Sequence, residues 1–382
     1  MKGEVIFKRI ISGQAKDPVS SIARTGLGVL SKLYEAGVVQ RNKKFEDQSA
    51  ITHATVPVIS VGNITAGGTG KTPMVRYICQ FLEAQGCKPS VLSRGYKAAN
   101  NEQSIIVSRR GHIEVSPAVS GDEAYLLAKG LGGTNVVIGR HRAESATIAT
   151  EQLGSDVIVL DDGFQHRQLH RDLDIVLIDA ANPFGYGHVL PRGLLREPLE
   201  GLKRANIILL TKTDQVPKDI LYGIKQKLNT YAPMVPVFET IHKPLGVITI
   251  DQWAAEAGDL VVNQDELAPE VQGHSLLAIS GIGRPESFKA TLQSLGFTPV
   301  DSLDFGDHHE YTEDDLIKIY AKAFELGITA LITTEKDAVK LSQLRALKDL
   351  KLPVYVVPIG IEFVGQEQEF KDLIQAVGKK DK

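Results

Sequence analysis

The sequence predicts an α/β protein: a mostly parallel sheet with helices on both faces, joined to a second, smaller α/β domain. Three observations predict it. The apolar stretch VPVISVGN (56–63) breaks into the glycine-rich run TAGGTGKT (65–72) and then into a helical pattern. From residue 55 onward, short apolar runs alternate with helical patterns, as in sheets covered on both faces. The chain has 382 residues, more than one hydrophobic core usually serves. The proline-rich stretch YAPMVPVFETIHKPLG (231–246) reads as a linker between two such series.

Two amphipathic stretches open the chain. Ile6, Phe7, Ile10 and Ile11 fall at helical spacing beside Lys8 and Arg9. Val19, Ile22, Ala23, Leu27, Leu30, Leu33 and Tyr34 continue the pattern, with Arg24 and Lys32 among them. Residues 1–50 carry nine Lys/Arg against five Asp/Glu, although the whole chain has a net charge of −3. Spacing alone fits a helix packed on its own domain or one lying on an anionic membrane.

Candidate strands of the first domain are Val56–Val61, Ser90–Ser93, Asn135–Ile138, Asp156–Leu160, Asp174–Ile178 and Asn206–Leu210. Helical patterns cover Pro73–Ala84, Glu123–Lys129 and Arg142–Leu153. The second series comprises Ser275–Ser280, Glu286–Leu295, Glu313–Glu325, Ala330–Thr333 and Val354–Val357. The expected organisation is an N-terminal segment over 1–50, a first domain over 51–235 and a smaller one over 236–382.

Several classes are disfavoured. The charge of the body is slightly acidic, which argues against bulk nucleic-acid binding. No run of about 18 apolar residues exists to cross a membrane, and the N-terminus does not read as a signal peptide. The two cysteines, Cys79 and Cys87, read as thiols on one helix rather than as a disulfide framework.

A strand, a glycine-rich turn and Gly70-Lys71-Thr72 opening a helix form the context of a phosphate-binding loop, so the first domain is P-loop NTPase-like. Backbone N–H groups over Thr65, Ala66, Gly67, Gly68, Thr69 and Gly70 would cradle a polyphosphate. Lys71 would reach its β- and γ-phosphates, and the Thr72 hydroxyl would serve Mg²⁺. Thr65 stands where the common pattern has glycine, which works if its φ stays negative. In DVIVLDDGFQH an apolar strand delivers Asp161 and Asp162 to its C-terminal end, where a carboxylate can hold Mg²⁺. TKTD (211–214) resembles the guanine-reading NKxD of GTPases, but Thr211 replaces the asparagine, so ATP is the default.

The acceptor side is more open. Asp122 in SGDEAYLLA is a candidate base, while Ser120 and Glu123 have capping-box spacing that gives it an ordinary reading too. His308 and His309, beside Asp307, could orient a carboxylate base or bind metal. Arg94, Arg140, Arg142, Arg192 and Arg196 suggest an anionic acceptor.

Taken in order, VGNITAGGTGKTP, LSRGY, GDEAYLLA, VLDDGFQHR, LPRGLLREP, SGIGRP, DHHEYT and TTEKDAVKL resemble the tetraacyldisaccharide 4′-kinase (lipid A 4′-kinase) family from about residue 50 to 345. The resemblance implies transfer of the ATP γ-phosphoryl group to the 4′-hydroxyl of a tetraacyldisaccharide 1-phosphate, with Mg²⁺. It implies a place at the cytoplasmic face of the bacterial inner membrane, peripheral or monotopic. By the same resemblance Asp122 is the base, assisted by His308. Asp161 and Asp162 serve Mg²⁺ and Lys71, with Gln165 and Glu197 as auxiliaries, and Asn63, Arg94 and Arg142 bind substrate. Thr65 is tolerated, and the basic N-terminus becomes a membrane-surface element. No obligate protein partner is evident. The competing readings are a P-loop GTPase or metallochaperone with histidine-bound metal, and a scaffold that binds nucleotide without turnover.

Overall fold

The computed structural model describes residues 2–95, 103–255, 258, 271, 273–349 and 351–378. Tyr96 of the LSRGY motif lies outside the described residues. The chain divides into two compact units, Met1–Arg94 with His141–Ile241 and Glu362–Lys382, and Gly95–Arg140 with His242–Ile361.

The first unit is built on parallel strands in the order Val237–Pro244, Ile207–Thr211, Leu173–Asp179, Val58–Asn63, Val157–Asp161 and Pro89–Ser93. All residues of Val58–Asn63, Val157–Asp161 and Leu173–Asp179 are buried, which is why these segments read as continuous apolar runs rather than alternating ones. Val58–Asn63 is the central strand of the site. It pairs with Val157–Asp161 on one side (Val61 opposite Asp161) and with Leu173–Asp179 on the other (Val61 opposite Ile175). Helix Lys71–Ala84 buries Met74, Val75, Ile78, Cys79 and Leu82. On another face, Ile64, Phe164, Val176, Ile178, Ile208 and Leu210 form a core with Leu202, Ile224 and Leu228.

The second unit carries a five-stranded sheet in the order Ile248–Thr249, Val354–Val357, Ala330–Thr334, Leu276–Ser280, Asp301–Asp304. Only Ile248–Thr249 runs antiparallel to its neighbour. Its strands feed two cores by their two-residue alternation. Leu277, Ile279, Leu331, Val354 and Val356 enter one, and Leu276, Ala278, Ala330, Ile332, Tyr355 and Val357 the other. Leu126 of helix Asp122–Lys129 and Ala338, Val339 and Leu341 of helix Glu335–Leu341 share the first of these cores.

Three local expectations are corrected. Cys87 is not on the helix of Cys79: Gly86, at φ 79°, ends that helix in the left-handed region, which a residue without Cβ adopts cheaply. The expected helix Arg142–Leu153 is α-helical only to Thr147 and continues as a π-helical turn over Ile148–Gln152. Ser120 makes no capping box with Glu123. Gly121 is the N-cap of the helix, and the Ser120 hydroxyl bonds the carbonyls of Ser116 and Gly121.

Candidate active site

The phosphate loop leaves the buried strand at Asn63 and enters the helix at Lys71. Positive φ falls on Gly67 (121°) and Gly70 (89°) but not on Thr65, so its Cβ is compatible with the turn. Asn63, fully buried, donates from Nδ2 to Thr69 Oγ1 at 2.9 Å and braces the loop from inside. The loop is also tied at Ala66, whose N–H donates to Leu194 O at 2.7 Å.

The turn that follows Asp161 lies hard against this strand. A Cβ on Gly62 would sit 2.6 Å from Phe164, and one on Gly163 would sit 2.6 Å from Ser60 Oγ. Two glycines facing each other's segments are therefore what lets the acidic turn approach the phosphate loop. Asp161, buried, accepts from Ser93 Oγ at 3.0 Å. Asp162, at φ 56°, is 3.4 Å from Lys71 Nζ and accepts from Arg196 Nη1 through both oxygens at 2.8 Å. Burial pushes the Asp162 carboxyl up, but the charges of Lys71 and Arg196 outweigh it and hold it at about 2. Gln165 Nε2 donates to Asn63 O and to Glu197 Oε1, and Arg204 holds Glu197 Oε2 at 2.7 Å. Gln165 and Glu197 thus brace the floor beneath the loop.

Mg²⁺ usually takes one or two carboxylates, with phosphate oxygens and water completing its shell. Thr72, at the helix start, Asp161, at the end of its strand, and Asp162, on the turn that follows and 3.4 Å from Lys71, supply that donor chemistry. Among the described residues no three His, Cys, Asp or Glu side chains converge as a metal-holding group.

Arg142 is buried, and burial lowers its guanidinium to about 10 against the pull of Asp161 and Asp162. Arg94 is also near enough to lower it. Burial, together with Arg142, Arg171 and Arg94, pushes His166 down to about 4, so it is neutral at physiological pH.

The second unit assembles a different cluster. Asp122, 6% exposed, opens helix Asp122–Lys129 directly after Gly121. Its Oδ2 is 3.2 Å from His308 Nδ1 and 3.1 Å from Lys340 Nζ. Lys336 Nζ lies 3.1 Å from His308 Nε2 and 3.2 Å from Asp307 Oδ1. An ammonium can only donate, so Nε2 is the acceptor and the His308 proton sits on Nδ1, pointing at Asp122. Burial raises the Asp122 carboxyl, but the His308 hydrogen bond and the charges of Lys340 and Lys336 prevail and hold it well below the usual range. His309 turns away: its Nε2 is 3.0 Å from Asp315, and its ring stacks on Phe305 at 4.6 Å. Asp315 in turn closes a capping box with Thr312. The two neighbouring histidines therefore have different tasks.

A model of the tetraacyldisaccharide-1-P 4′-kinase family matches residues 23–379. The chain belongs to that family. The tetraacyldisaccharide 4′-kinase of Halothermothrix orenii is 37% identical over 358 residues, covering 92% of this chain and 91% of that protein. The one from Syntrophus aciditrophicus is 39% identical over 356 residues, with 91% of each covered. The crystal structure of LpxK from Aquifex aeolicus in complex with ATP superposes with a TM-score of 0.72 at 30% identity, covering 93% of this chain and 99% of that one. Membership in this kinase family makes the chain a phosphotransferase with an alcohol acceptor and disfavours the GTPase or metallochaperone reading.

Within this kinase, two of the arginines taken as marks of an anionic acceptor bind the protein itself. Arg196 is committed to Asp162, and Arg192 donates from Nη1 to Ile11 O at 2.7 Å. Two further lysines join the cluster around Asp122 and His308. Lys336 and Lys340 stand in TTEKDAVKL four residues apart, hence on one helix face, and that spacing was the available signal.

Proposed function

We propose that this kinase transfers the γ-phosphoryl group of ATP to the 4′-hydroxyl of a tetraacyldisaccharide 1-phosphate. Asp122 accepts the proton of that hydroxyl. The observation that carries this reading is the buried Asp122 carboxylate, held ionised by His308 and Lys340. A hydrolase or switch needs only a positioned water, whereas a kinase needs a base for its acceptor. The His308 Nδ1–H fixes the orientation of Asp122, and Lys336 fixes the tautomer of His308. In the first unit, Lys71 stabilises charge on the transferring group, and the loop N–H groups hold the β- and γ-phosphates. Asp162 and Arg196 keep Lys71 at its station. Thr72, Asp161 and Asp162 would hold Mg²⁺, which when bound neutralises phosphate charge. Arg94 and Arg142 are assigned to the anionic groups of the substrate, whereas Asn63, expected on the substrate, is wholly buried and braces the phosphate loop instead.

The membrane surface is part of the proposal. No helix among the described residues is long and apolar enough to cross a bilayer. Helix Pro18–Lys43 instead buries Ser20, Ser31 and Val38 and exposes Val19, Ile22, Val29, Leu30 and Leu33. At about 100° per residue those five fall within a stripe roughly 100° wide, opposite the buried serines. An apolar stripe turned outward beside basic residues suits an anionic membrane surface, where an acylated substrate resides. We infer from this stripe that the kinase works peripherally at the cytoplasmic face of the bacterial inner membrane.

The test is ATP consumption with and without detergent-dispersed acylated disaccharide 1-phosphate, followed by mass spectrometry of the lipid. Lipid-dependent turnover with gain of one phosphate is expected. Equal hydrolysis without lipid, or an unchanged lipid mass, would overturn the reading.

A further inference from the structure

TKTD (211–214) lacks the asparagine of a guanine-reading motif, and the structure puts it to another use. Strand Ile207–Thr211 is wholly buried and pairs with Leu173–Asp179, bringing Thr211 opposite Asp179. The chain then turns through Lys212 at φ 57°, ψ 40°, which directs a buried lysine back toward the phosphate loop. Lys212 Nζ donates to Gly68 O at 2.9 Å and to Asp179 Oδ2 at 2.7 Å. Thr211 Oγ1 donates to Thr69 O at 3.0 Å. Two successive loop carbonyls are thereby tied to the end of one strand.

The geometry of the peptide unit makes this consequential. In a trans peptide the C=O and the following N–H point in opposite directions. Anchoring the Gly68 carbonyl therefore aims the Thr69 N–H away from Lys212, and anchoring the Thr69 carbonyl does the same for the Gly70 N–H. Those amides are among the donors a phosphate loop offers to its ligand. Gly68 has nothing within 4 Å of where a Cβ would stand, so the loop itself supplies little packing there to fix its orientation. The anchoring comes from the end of strand Ile207–Thr211, two places away in the sheet from the strand that leads into the loop.

We propose that Lys212, held by Asp179 and acting with Thr211, is a positioning residue of the nucleotide site that sets the phosphate-loop amides in their binding orientation before ATP arrives. The side chains of Lys212 and Asp179 are 5% and 7% exposed, so the pair is shielded from competing water. Preorganised donors cost no reorganisation when the ligand binds, and that is the gain the anchor provides. The proposal rests on the reading that this loop binds ATP.

The experiment separates anchoring from simple stability. Lys212→Met alone leaves a buried Asp179 charge without its partner and is expected to destabilise the fold. The double variant Lys212→Met/Asp179→Leu removes both charges and should melt near the parent. Thr211→Val is a milder companion that removes only the second anchor. ATP·Mg²⁺ affinity by calorimetry, and KM for ATP and for the lipid, are measured on the parent and each variant. The double variant is expected to raise the ATP Kd and KM about tenfold to a hundredfold, the scale of one hydrogen bond from a charged donor. Thr211→Val should raise them severalfold, and the lipid KM should stay near parental in both. A folded variant of either kind with ATP affinity within twofold of the parent overturns the proposal. Failure of the parent itself to bind ATP·Mg²⁺ would instead overturn the nucleotide reading of the loop.

Discussion

At the scale of single residues, the charge state of Asp122 is fixed by three cations or donors that belong to other segments of its unit. Its folded pKa lies below the unfolded value of about 3.9. The stability this pairing contributes is therefore present above about pH 4 and lost as pH falls toward the depressed folded value. Lys340→Met removes one of those partners, a side chain only 9% exposed. The variant should lose on the order of 1.5–3 kcal/mol at pH 7, as for a hydrogen bond to a charged group. The difference from the parent should shrink steadily in urea titrations below pH 4; a difference that persists undiminished there would mean the loss is packing alone. For catalysis, Asp122→Asn and His308→Ala should each lower kcat strongly while ATP binding is nearly kept, because neither belongs to the phosphate loop. If the two act as a unit, the double variant should be little worse than the worse single one. Multiplicative losses would show independent roles.

At the scale of elements, helix Pro18–Lys43 shows why periodicity alone could not decide between packing and membrane. Helical spacing of apolar residues predicts a stripe but not which way it faces. Here the stripe faces outward, and the body is met by small residues: Ser31 Oγ donates to Val189 O at 2.8 Å and accepts from the Arg192 N–H at 2.9 Å. Ile11 of the preceding helix is buried, so it belongs to the body and not to the outward stripe. Replacing Val19, Ile22, Leu30 and Leu33 by serine should therefore weaken co-sedimentation with anionic vesicles at any salt concentration. Changing Lys8, Arg9, Lys32 and Arg41 to glutamine should weaken it chiefly at low salt, since each cation contributes about 1 kcal/mol at such a surface and screening removes it. Unaltered vesicle binding in both sets would return the helix to an ordinary packing role.

At the scale of the molecule, what could be read in the sequence follows from what burial does to composition. Strands covered on both faces leave continuous apolar runs, so Asn135–Ile138 and Val354–Val357 emerge at their observed bounds. Helix Glu313–Glu325 does too, because a capping box starts it and an apolar stripe fills it. Strand Ile105–Arg109 was not legible, being short, partly exposed and antiparallel to its neighbours. The candidate site divides in the same way. Lys71, Thr72, Asp161 and Asp162 sit in local motifs, whereas Lys340, Arg196 and Lys212 act on partners far away in the chain; the spacing of Lys336 and Lys340 marks a shared helix face, but it does not name Asp122 as the partner.

That same dispersal makes ATP binding a property of the folded state alone. The phosphate loop, its acidic turn and its anchoring strand come from residues near 65, 162 and 212, and unfolding scatters them. A ligand bound only by the native state stabilises it by RT ln(1 + [L]/Kd), about 2.7 kcal/mol at a hundredfold excess over Kd. Saturating ATP·Mg²⁺ should thus raise the melting temperature of the parent by a few degrees, allowing for the chain's length. Lys71→Ala should keep the ligand-free melt within a degree or two of the parent, because Asp162 retains Arg196 as its partner. It should lose most of the ATP-dependent rise, and its turnover should fall by roughly 10³-fold or more. A full ATP-dependent rise with near-normal lipid phosphorylation in that variant would mean that Lys71 does not handle the phosphates, and the loop's role would have to be assigned elsewhere.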